Sequence, residues 1–337
     1  MQTVKTMTIL LSRTDSIGDV VLTLPMAGVL KGNFPEAKVL FLGRTYTKSV
    51  VEACEHVDEF INYDELLKLN EKDQLNFIKD SNIDMVIHVF PRKQIAALLK
   101  KARVPLRVGT RNRFFHWFTC NKLVALSRKK SDLHESQLNI QLLAFLKIKT
   151  DLSLKAIAQC YGFTRVKPLS NELFLNTLDK NKVKVILHPR SKGSAREWGL
   201  DNFTRLIHAL PEKNFQIFIS GTKEDGKFLE AFLLQNPKAI DITGKLTLEE
   251  FISFIQYCDV LVAASTGPLH IAAALGKKAI GLFAPMRPIH PGRWSPIGIQ
   301  AHFLVQNKNC SDCRKGGRCL CIEQIEVNQV KQLIEKP

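Results

Sequence analysis

The sequence predicts an α/β protein made of two doubly wound domains, and three observations lead there. Short apolar runs without polar alternation recur along the chain, each followed by a polar turn and then a stretch of helical periodicity. The rhythm occurs as two series, separated by a segment from about Asp151 to Asn181 that loses it and contains KPLSNE. Finally, 337 residues exceed one comfortable hydrophobic core. The first domain is expected to span 1–175 and the second 182–321, with 322–337 as a closing helix. Two such domains bring the carboxyl ends of two sheets to a cleft, where open α/β sheets bind ligands.

The first series opens with an apolar strand from Thr8 to Leu11 and the polar turn SRTDSIGD. A helical stretch follows to about Lys31. Lys38 to Leu42 and Asp84 to Val89 read as further strands of the parallel type, covered on both faces. Near Ser131 to Lys147 a helix is expected, with Leu138, Leu142 and Phe145 on one face.

The second series is cleaner, with strands at Val183–Leu187, Phe215–Ser220, Ala239–Ile242, Val260–Ala263 and Ala279–Phe283. Its helices carry start signals: Asp201 precedes NFTRLIHAL, and Thr247-x-x-Glu250 reads as a capping box before FISFIQYC. After the fourth strand, the turn Ser265-Thr266-Gly267 leads into a helix with Pro268 at its first positions and His270 in its first turn. Proline suits that position because its missing N–H would have no partner there anyway.

Composition sets limits on function. The apolar share of 45% and charged share of 24% are those of a globular protein. No apolar run reaches the ~20 residues that span a bilayer. MTILLS before Arg13 is too short for a signal peptide, so a cytoplasmic location is expected. Neither series holds G-x-G-x-x-G or a Walker A loop, which removes the main evidence for a dinucleotide dehydrogenase or a P-loop ATPase.

The net charge of +16 is unevenly placed. Phe90 to Ser131 holds no Asp or Glu but many Lys and Arg, among them Arg92, Arg111, Arg113 and Lys130, around Phe114, Phe115, Trp117 and Phe118. Cations interleaved with aromatics suit an anionic membrane surface, a phosphorylated lipid-linked acceptor or nucleic acid, and also fit a solvated basic face. No nucleic-acid motif accompanies them, so no nucleic-acid partner is expected.

Three constellations carry chemistry. In Arg13-Thr14-Asp15-Ser16-Ile17-Gly18-Asp19, at the end of the first strand, Asp19 beside a glycine is a candidate carboxylate base. Equally, Ser16-x-x-Asp19 reads as a capping box. His188-Pro189-Arg190-Ser191-Lys192-Gly193-Ser194-Ala195-Arg196-Glu197-Trp198 follows the second domain's first strand. Lys192 or Arg196 could neutralise charge developing on a pyrophosphate leaving group. The Ser265-Thr266-Gly267 turn offers hydroxyls and the free N–H groups of a helix start, a natural phosphate seat. Gly221, after the next strand, is a weaker candidate for base or ribose contact.

RTDSIGDVVLTLP, HPRSKGSAREW and STGPLHIAAALG, in this order and spacing, resemble the ADP-heptose:lipopolysaccharide heptosyltransferases of glycosyltransferase family nine. The resemblance covers nearly the whole chain. It implies a GT-B fold, with two Rossmann-like doubly wound domains facing across a cleft. The first would bind the acceptor and the second the nucleotide sugar, and the closing helix could cross back to the first. It also implies inverting transfer of heptose from ADP-heptose to the lipopolysaccharide core without metal or other cofactor, in keeping with the lack of any Asp-x-Asp pair.

By this resemblance Asp19 matches the general base. Ser191, Lys192 and Arg196 match one donor-phosphate loop, and Ser265, Thr266, Gly267 and His270 the other. Arg13, His88, Arg111 and Arg113 are the candidates for holding a phosphorylated lipid A or core acceptor at the inner face of an anionic inner membrane. Many family members have Asp where this chain has Ser265, so another nucleotide sugar, or a nucleotide-sugar-binding protein without turnover, stays open. The last constellation, Cys310-x-x-Cys313-x5-Cys319-x-Cys321, is compatible with a tetrahedral zinc site, a labile disulfide or packed free thiols.

Overall fold

The computed structural model of the chain describes residues 6–128, 131–287, 289–306 and 320–336. It divides into two compact units, Met1–Arg165 and Val166–Pro337. The first holds six strands: β1 (Thr8–Ser12), β2 (Lys38–Gly43), β3 (Glu59–Asn62), β4 (Met85–His88), β5 (Leu106–Thr110) and β6 (Lys122–Val124). They form a parallel sheet in the order β3-β2-β1-β4-β5-β6. The second holds β7 (Val183–His188), β8 (Phe215–Ile219), β9 (Ala239–Asp241), β10 (Val260–Ala264), β11 (Lys278–Phe283) and β12 (Ala301–Val305). Their order, β12-β11-β10-β7-β8-β9, repeats the first sheet's winding with every pair parallel.

The central strands explain why apolar runs announced this fold. β1, β10 and β11 are buried along their whole length, as strands with helices on both faces must be. Strands β3, β5, β6 and β12 carry no such run. β6 is three residues long, and β12 is a half-buried edge strand.

Several expectations change. The join falls between Arg165 and Val166 rather than near 175. Residues before it are tied to the first unit: Glu55 N–H donates to Gly162 O (2.7 Å) and Arg165 N–H to Ala53 O (3.0 Å). Residues after it are tied to the second, where Ser253 Oγ donates to Lys167 O (2.7 Å) and the Phe174 ring lies 6.0 Å from that of Phe254. The segment read as linker contains helices at Leu154–Ala158 and Glu172–Thr177.

The closing segment is two helices, Leu320–Glu323 and Val327–Glu335. Ile322, Ile325, Val330 and Ile334 belong to the core of the second unit, alongside Trp198 and Phe203. Trp198 Nε1 donates to Ile325 O (2.9 Å) and Asn202 Nδ2 to Glu323 O (2.8 Å). These apolar side chains of the closing segment are therefore spent on the core of the second unit.

The Thr247 capping box forms as read, with Glu250 N–H donating to Thr247 Oγ1 (3.2 Å) and Thr247 N–H to Glu250 Oε2 (2.8 Å). Asp201 does not cap: Gly199, at φ +95°, occupies the N-cap position and Asp201 lies in the first turn.

Candidate active site

In each sheet the winding reverses between two central strands, β1 and β4 in the first unit and β7 and β10 in the second. Loops leaving opposite ways at such a point open a crevice at the strands' carboxyl ends, where ligands of open α/β sheets sit. All three motifs lie at these two points.

In the first unit the turn after β1 leads into a short helix, Ile17–Val21, whose first turn holds Asp19. The Ser16 side chain accepts no backbone N–H there, so the expected capping box is absent. Ser16 Oγ donates instead to Asp19 Oδ2, and Arg13 Nη2 donates to Asp19 Oδ1. Asp19 is thus a carboxylate with two side-chain donors and partial exposure (19%).

Arg13 was a candidate to hold the acceptor, and its surroundings rule against that. It is 3% exposed, and its guanidinium is fully engaged. Nε donates to Asp15 Oδ1 (2.8 Å), Nη2 to Asp15 Oδ2 (3.0 Å), and Nη1 to Glu135 Oε1 (3.1 Å) and Asn139 Oδ1 (3.2 Å). Burial alone would depress the Arg13 pKa, but the surrounding carboxylates Asp19, Asp15 and Glu135 outweigh it and raise it. Burial has the opposite consequence for Asp15, whose pKa is pushed up despite the Arg13 charge. Glu135 and Asn139 come from the helix Glu135–Gln141, and Asn139 Nδ2 also donates to Leu22 O (3.2 Å). That helix is the backing of the Asp19 turn. Sequence reasoning placed the helix but gave Glu135 and Asn139 no part, because the contact spans more than a hundred residues.

His88 ends β4, with Ser12 its register partner at the end of β1. Rather than facing an acceptor openly, its ring is fully buried and stacks on His116, with centroids 5.5 Å apart. Burial, reinforced by His116 and Arg107, pushes its pKa down to about 3 and keeps the ring neutral. Among the described residues neither ring nitrogen has a hydrogen-bond partner, nor do Ser12 Oγ and His116 Nε2. Arg111 and Arg113, by contrast, are exposed.

In the second unit β7 and β10 are paired neighbours, with Ala263 opposite His188. The Lys192 loop and the Thr266 turn therefore leave adjacent strand ends. Ser191 N–H donates to Glu197 Oε1 (2.7 Å), and Arg190 Nη1 donates to Glu197 Oε2 (2.6 Å). Ser191 Oγ lies 2.8 Å from Ala195 O and 3.0 Å from Glu197 Oε1, so its proton serves the loop itself. Lys192 (φ +49°) and Gly193 (φ +80°) are successive left-handed residues at the tip, and the Lys192 side chain is exposed. Arg196 is half-buried on the same loop. Glu197, an acid inside a basic segment, is the organiser that sequence reasoning passed over.

Thr266 is the N-cap of the helix Gly267–Ala274, yet its side chain caps nothing. The residue is 8% exposed, and Oγ1 is buried without a hydrogen-bond partner among the described residues. Ser265 and Gly267 flank it, half-buried. His270 lies in the first turn of that helix, as read, and is buried. Gly221 follows β8 on the other side of β7, where its carbonyl accepts from Gly244 N–H (2.9 Å). His188 Nδ1 and Ser220 Oγ lie 2.9 Å apart, and burial pushes the His188 pKa down to about 4.

A cavity of about 770 Å³ in this unit lies at the opposite end of the sheet, among Val183, Val260 and Lys278, away from these loops. Among the described residues no group of side chains could hold a metal ion. Of the proposed zinc ligands, Cys310, Cys313 and Cys319 lie outside the described residues, and Cys321 is buried in the second core. No helix among the described residues is long and apolar enough to cross a membrane.

Two Rossmann-like domains, each with its polar motifs at the switch point, make up the GT-B fold. Known proteins agree. Residues 76–321 match the model of Glycosyltransferase family 9 (heptosyltransferase), and the chain belongs to that family. It is 27% identical to a candidate glycosyltransferase of Haemophilus influenzae, over 86% of each chain. It is also 23% identical to lipopolysaccharide heptosyltransferase 3 of Escherichia coli K12, over 84% of each. The fold matches that of E. coli ADP-heptose LPS heptosyltransferase II with a TM-score of 0.76, at 17% identity, covering 97% of this chain and 98% of the other.

Proposed function

We propose that this enzyme transfers heptose from ADP-heptose to the core of a lipopolysaccharide, with inversion and without a metal. One observation carries the donor half of this reading. The exposed Lys192 loop and the Thr266 turn leave paired strands, and Thr266 Oγ1 is buried there with no partner. A buried hydroxyl without a partner costs stability, so a ligand that supplies one is favoured. A diphosphate fits: it offers acceptor oxygens to the Thr266 hydroxyl and to the free N–H groups of the helix Gly267–Ala274. Lys192 and Arg196 supply cations for the charge that develops as the leaving group departs. The names of the relatives supply ADP-heptose and lipopolysaccharide.

In the acceptor half, Asp19 takes the proton of the acceptor hydroxyl as its oxygen attacks the anomeric carbon. The bond from that carbon to the diphosphate oxygen breaks on the opposite face, and ADP leaves with the electron pair. Arg13 is a positioning residue that fixes the Asp19 carboxylate. Arg111 and Arg113 are exposed cations suited to phosphates on the acceptor. Metal independence rests on the lack of any Asp-x-Asp pair in the sequence.

The test is a thermal-shift panel of ADP-, UDP- and GDP-sugars, followed by transfer assays with and without chelator. A ligand at a hundred times its Kd stabilises by about 2.7 kcal/mol, enough to rank donors. ADP-heptose should give the largest shift, and chelator should leave transfer intact. A larger shift with a UDP- or GDP-sugar would refute the donor assignment, and loss of transfer with chelator the metal-free mechanism. The same panel resolves what Ser265 implies for the choice of sugar.

A further inference from the structure

The short helix His116–Thr119 and the turn before it form a knuckle with two unlike sides. Its inner side is fixed. His116 is fully buried, its Nδ1 accepts from Thr110 N–H (2.9 Å), and its ring stacks on His88. The space beneath is tight: a Cβ on Gly109 would come within 2.6 Å of the His116 ring. Its outer side carries Phe114, Trp117 and Phe118, exposed by 79%, 61% and 61%. The Phe114 and Phe118 rings pack edge to face, 5.1 Å apart, so these aromatics form one apolar tip.

Along the chain on either side of the tip the charge has a single sign. Arg111 and Arg113 precede it, and Lys122, also exposed, opens the neighbouring strand β6 opposite Val108. No Asp or Glu occurs from Phe90 to Ser131. An apolar tip flanked by cations is complementary to a surface with anionic headgroups over an apolar interior.

One hydrogen bond favours a bilayer over a nucleic acid. Trp117 Nε1 already donates to Arg111 O (2.9 Å), so the indole can enter an apolar phase without stranding its N–H. The Phe114 and Phe118 rings are spent on each other, whereas base stacking calls for free ring faces.

We propose that this knuckle docks the protein on an anionic lipid bilayer, with Phe114, Trp117 and Phe118 in the acyl boundary and Arg111 and Arg113 in the headgroup layer, where they meet lipid phosphates until those of an acceptor replace them. Docking of this kind needs no donor sugar, so it stands or falls apart from the transfer reaction.

The test uses the full chain and vesicles of equal parts phosphatidylcholine and phosphatidylglycerol, with pure phosphatidylcholine for comparison. Of the three tryptophans, Trp198 is buried and Trp294 half-buried, which leaves Trp117 as the exposed reporter. Mixed vesicles should sediment the protein and shift tryptophan emission to the blue. The shift should vanish in Trp117→Phe, and salt should weaken binding. The combined change Phe114→Ser, Trp117→Ser, Phe118→Ser should lower partitioning by about tenfold or more, while its unfolding midpoint and its thermal shift with donor stay unchanged. Equal sedimentation of the triple variant would overturn the proposal. So would binding only to vesicles bearing a phosphorylated glycolipid, which would make the aromatic tip part of acceptor recognition, or preference for single-stranded RNA over mixed vesicles.

Discussion

Arg13 holds Asp19 from within the protein: its Nη2 donates to the Asp19 carboxylate while the rest of the guanidinium is fixed by Asp15, Glu135 and Asn139. A carboxylate meant to take a proton from a substrate gains from such support, since a fixed oxygen loses no geometry as the transition state forms. The same arrangement makes Arg13 costly to remove. In Arg13→Ala, Glu135 (1% exposed) loses a buried cationic partner, while its pair with Arg128 Nε (3.0 Å) remains. We expect a loss of about 3–5 kcal/mol, read from chemical denaturation. Arg13→Lys keeps a charge but not the planar fork, so it should fold, with kcat falling more than KM rises. A wild-type kcat in Arg13→Lys would show that Asp19 needs no such support.

Asp19→Asn is nearly isosteric and removes the proton acceptor. Transfer should fall by about 10²- to 10⁴-fold, with the donor-induced thermal shift preserved. Retained transfer would remove Asp19 from the chemistry, and loss of the thermal shift would make it part of the donor pocket instead.

How much of this was legible in the sequence follows from the range of the interactions. The central strands announced themselves because burial on both faces demands unbroken apolar runs, as in β1 and β10. β5 and β6 lie inside the basic stretch, where Arg107 and Lys122 mask the pattern. The candidate residues Asp19, Lys192 and Thr266 stand out because each follows a strand, and strand ends are readable. Their supports do not. Glu135 reaches Arg13 across 122 residues, and no local pattern records that contact. His88 misled for a related reason: a histidine at a strand end looks available until the stacked His116 is seen.

The Lys192 loop yields a prediction that separates charge from shape. Glu197 ties Ser191 N–H and Arg190 into one turn but would touch no phosphate itself. Both Glu197→Gln and Lys192→Ala should weaken donor binding, by about tenfold, the value of one charge-assisted hydrogen bond. The two should differ in salt. Lys192→Ala removes an exposed cation and should flatten the ionic-strength dependence of donor affinity, whereas Glu197→Gln should leave that dependence as it was. Identical salt profiles for the two variants would mean that Lys192 acts through loop shape.

Stability should fall on mild acidification, through His88 and His188. Burial holds their folded pKa values at about 3 and about 4, below the ordinary 6.5. The unfolded chain therefore binds more protons than the folded one over this interval. Stability is complete above about 6.5 and is lost as pH falls toward the folded values. Each histidine contributes a slope of about 1.4 kcal/mol per pH unit between its two pKa values. In His88→Gln that share of the slope should disappear from denaturation midpoints measured between pH 4 and pH 6.5. An unchanged slope would mean that His88 is not held neutral.

The helix Pro25–Asn33 behind the Asp19 turn contains two glycines that should respond in opposite directions. A Cβ on Gly28 would lie 2.1 Å from the carbonyl oxygen of Cys160, a backbone atom that cannot swing aside. Gly28 therefore sets how closely the helix approaches the 160–163 segment, which is itself bridged to Cys54. Gly28→Ala must push these elements apart, at a cost of about 1–3 kcal/mol by the usual scale of overpacking. A Cβ on Gly32 would meet nothing within 4 Å, and the residue is exposed. There the same substitution only removes backbone freedom from the unfolded chain, so Gly32→Ala should stabilise by about 0.4–1 kcal/mol. Denaturant midpoints of the two variants, set on either side of the wild type, measure the close approach directly. If Gly28→Ala is as stable as Gly32→Ala, the helix does not rest on the Cys160 backbone.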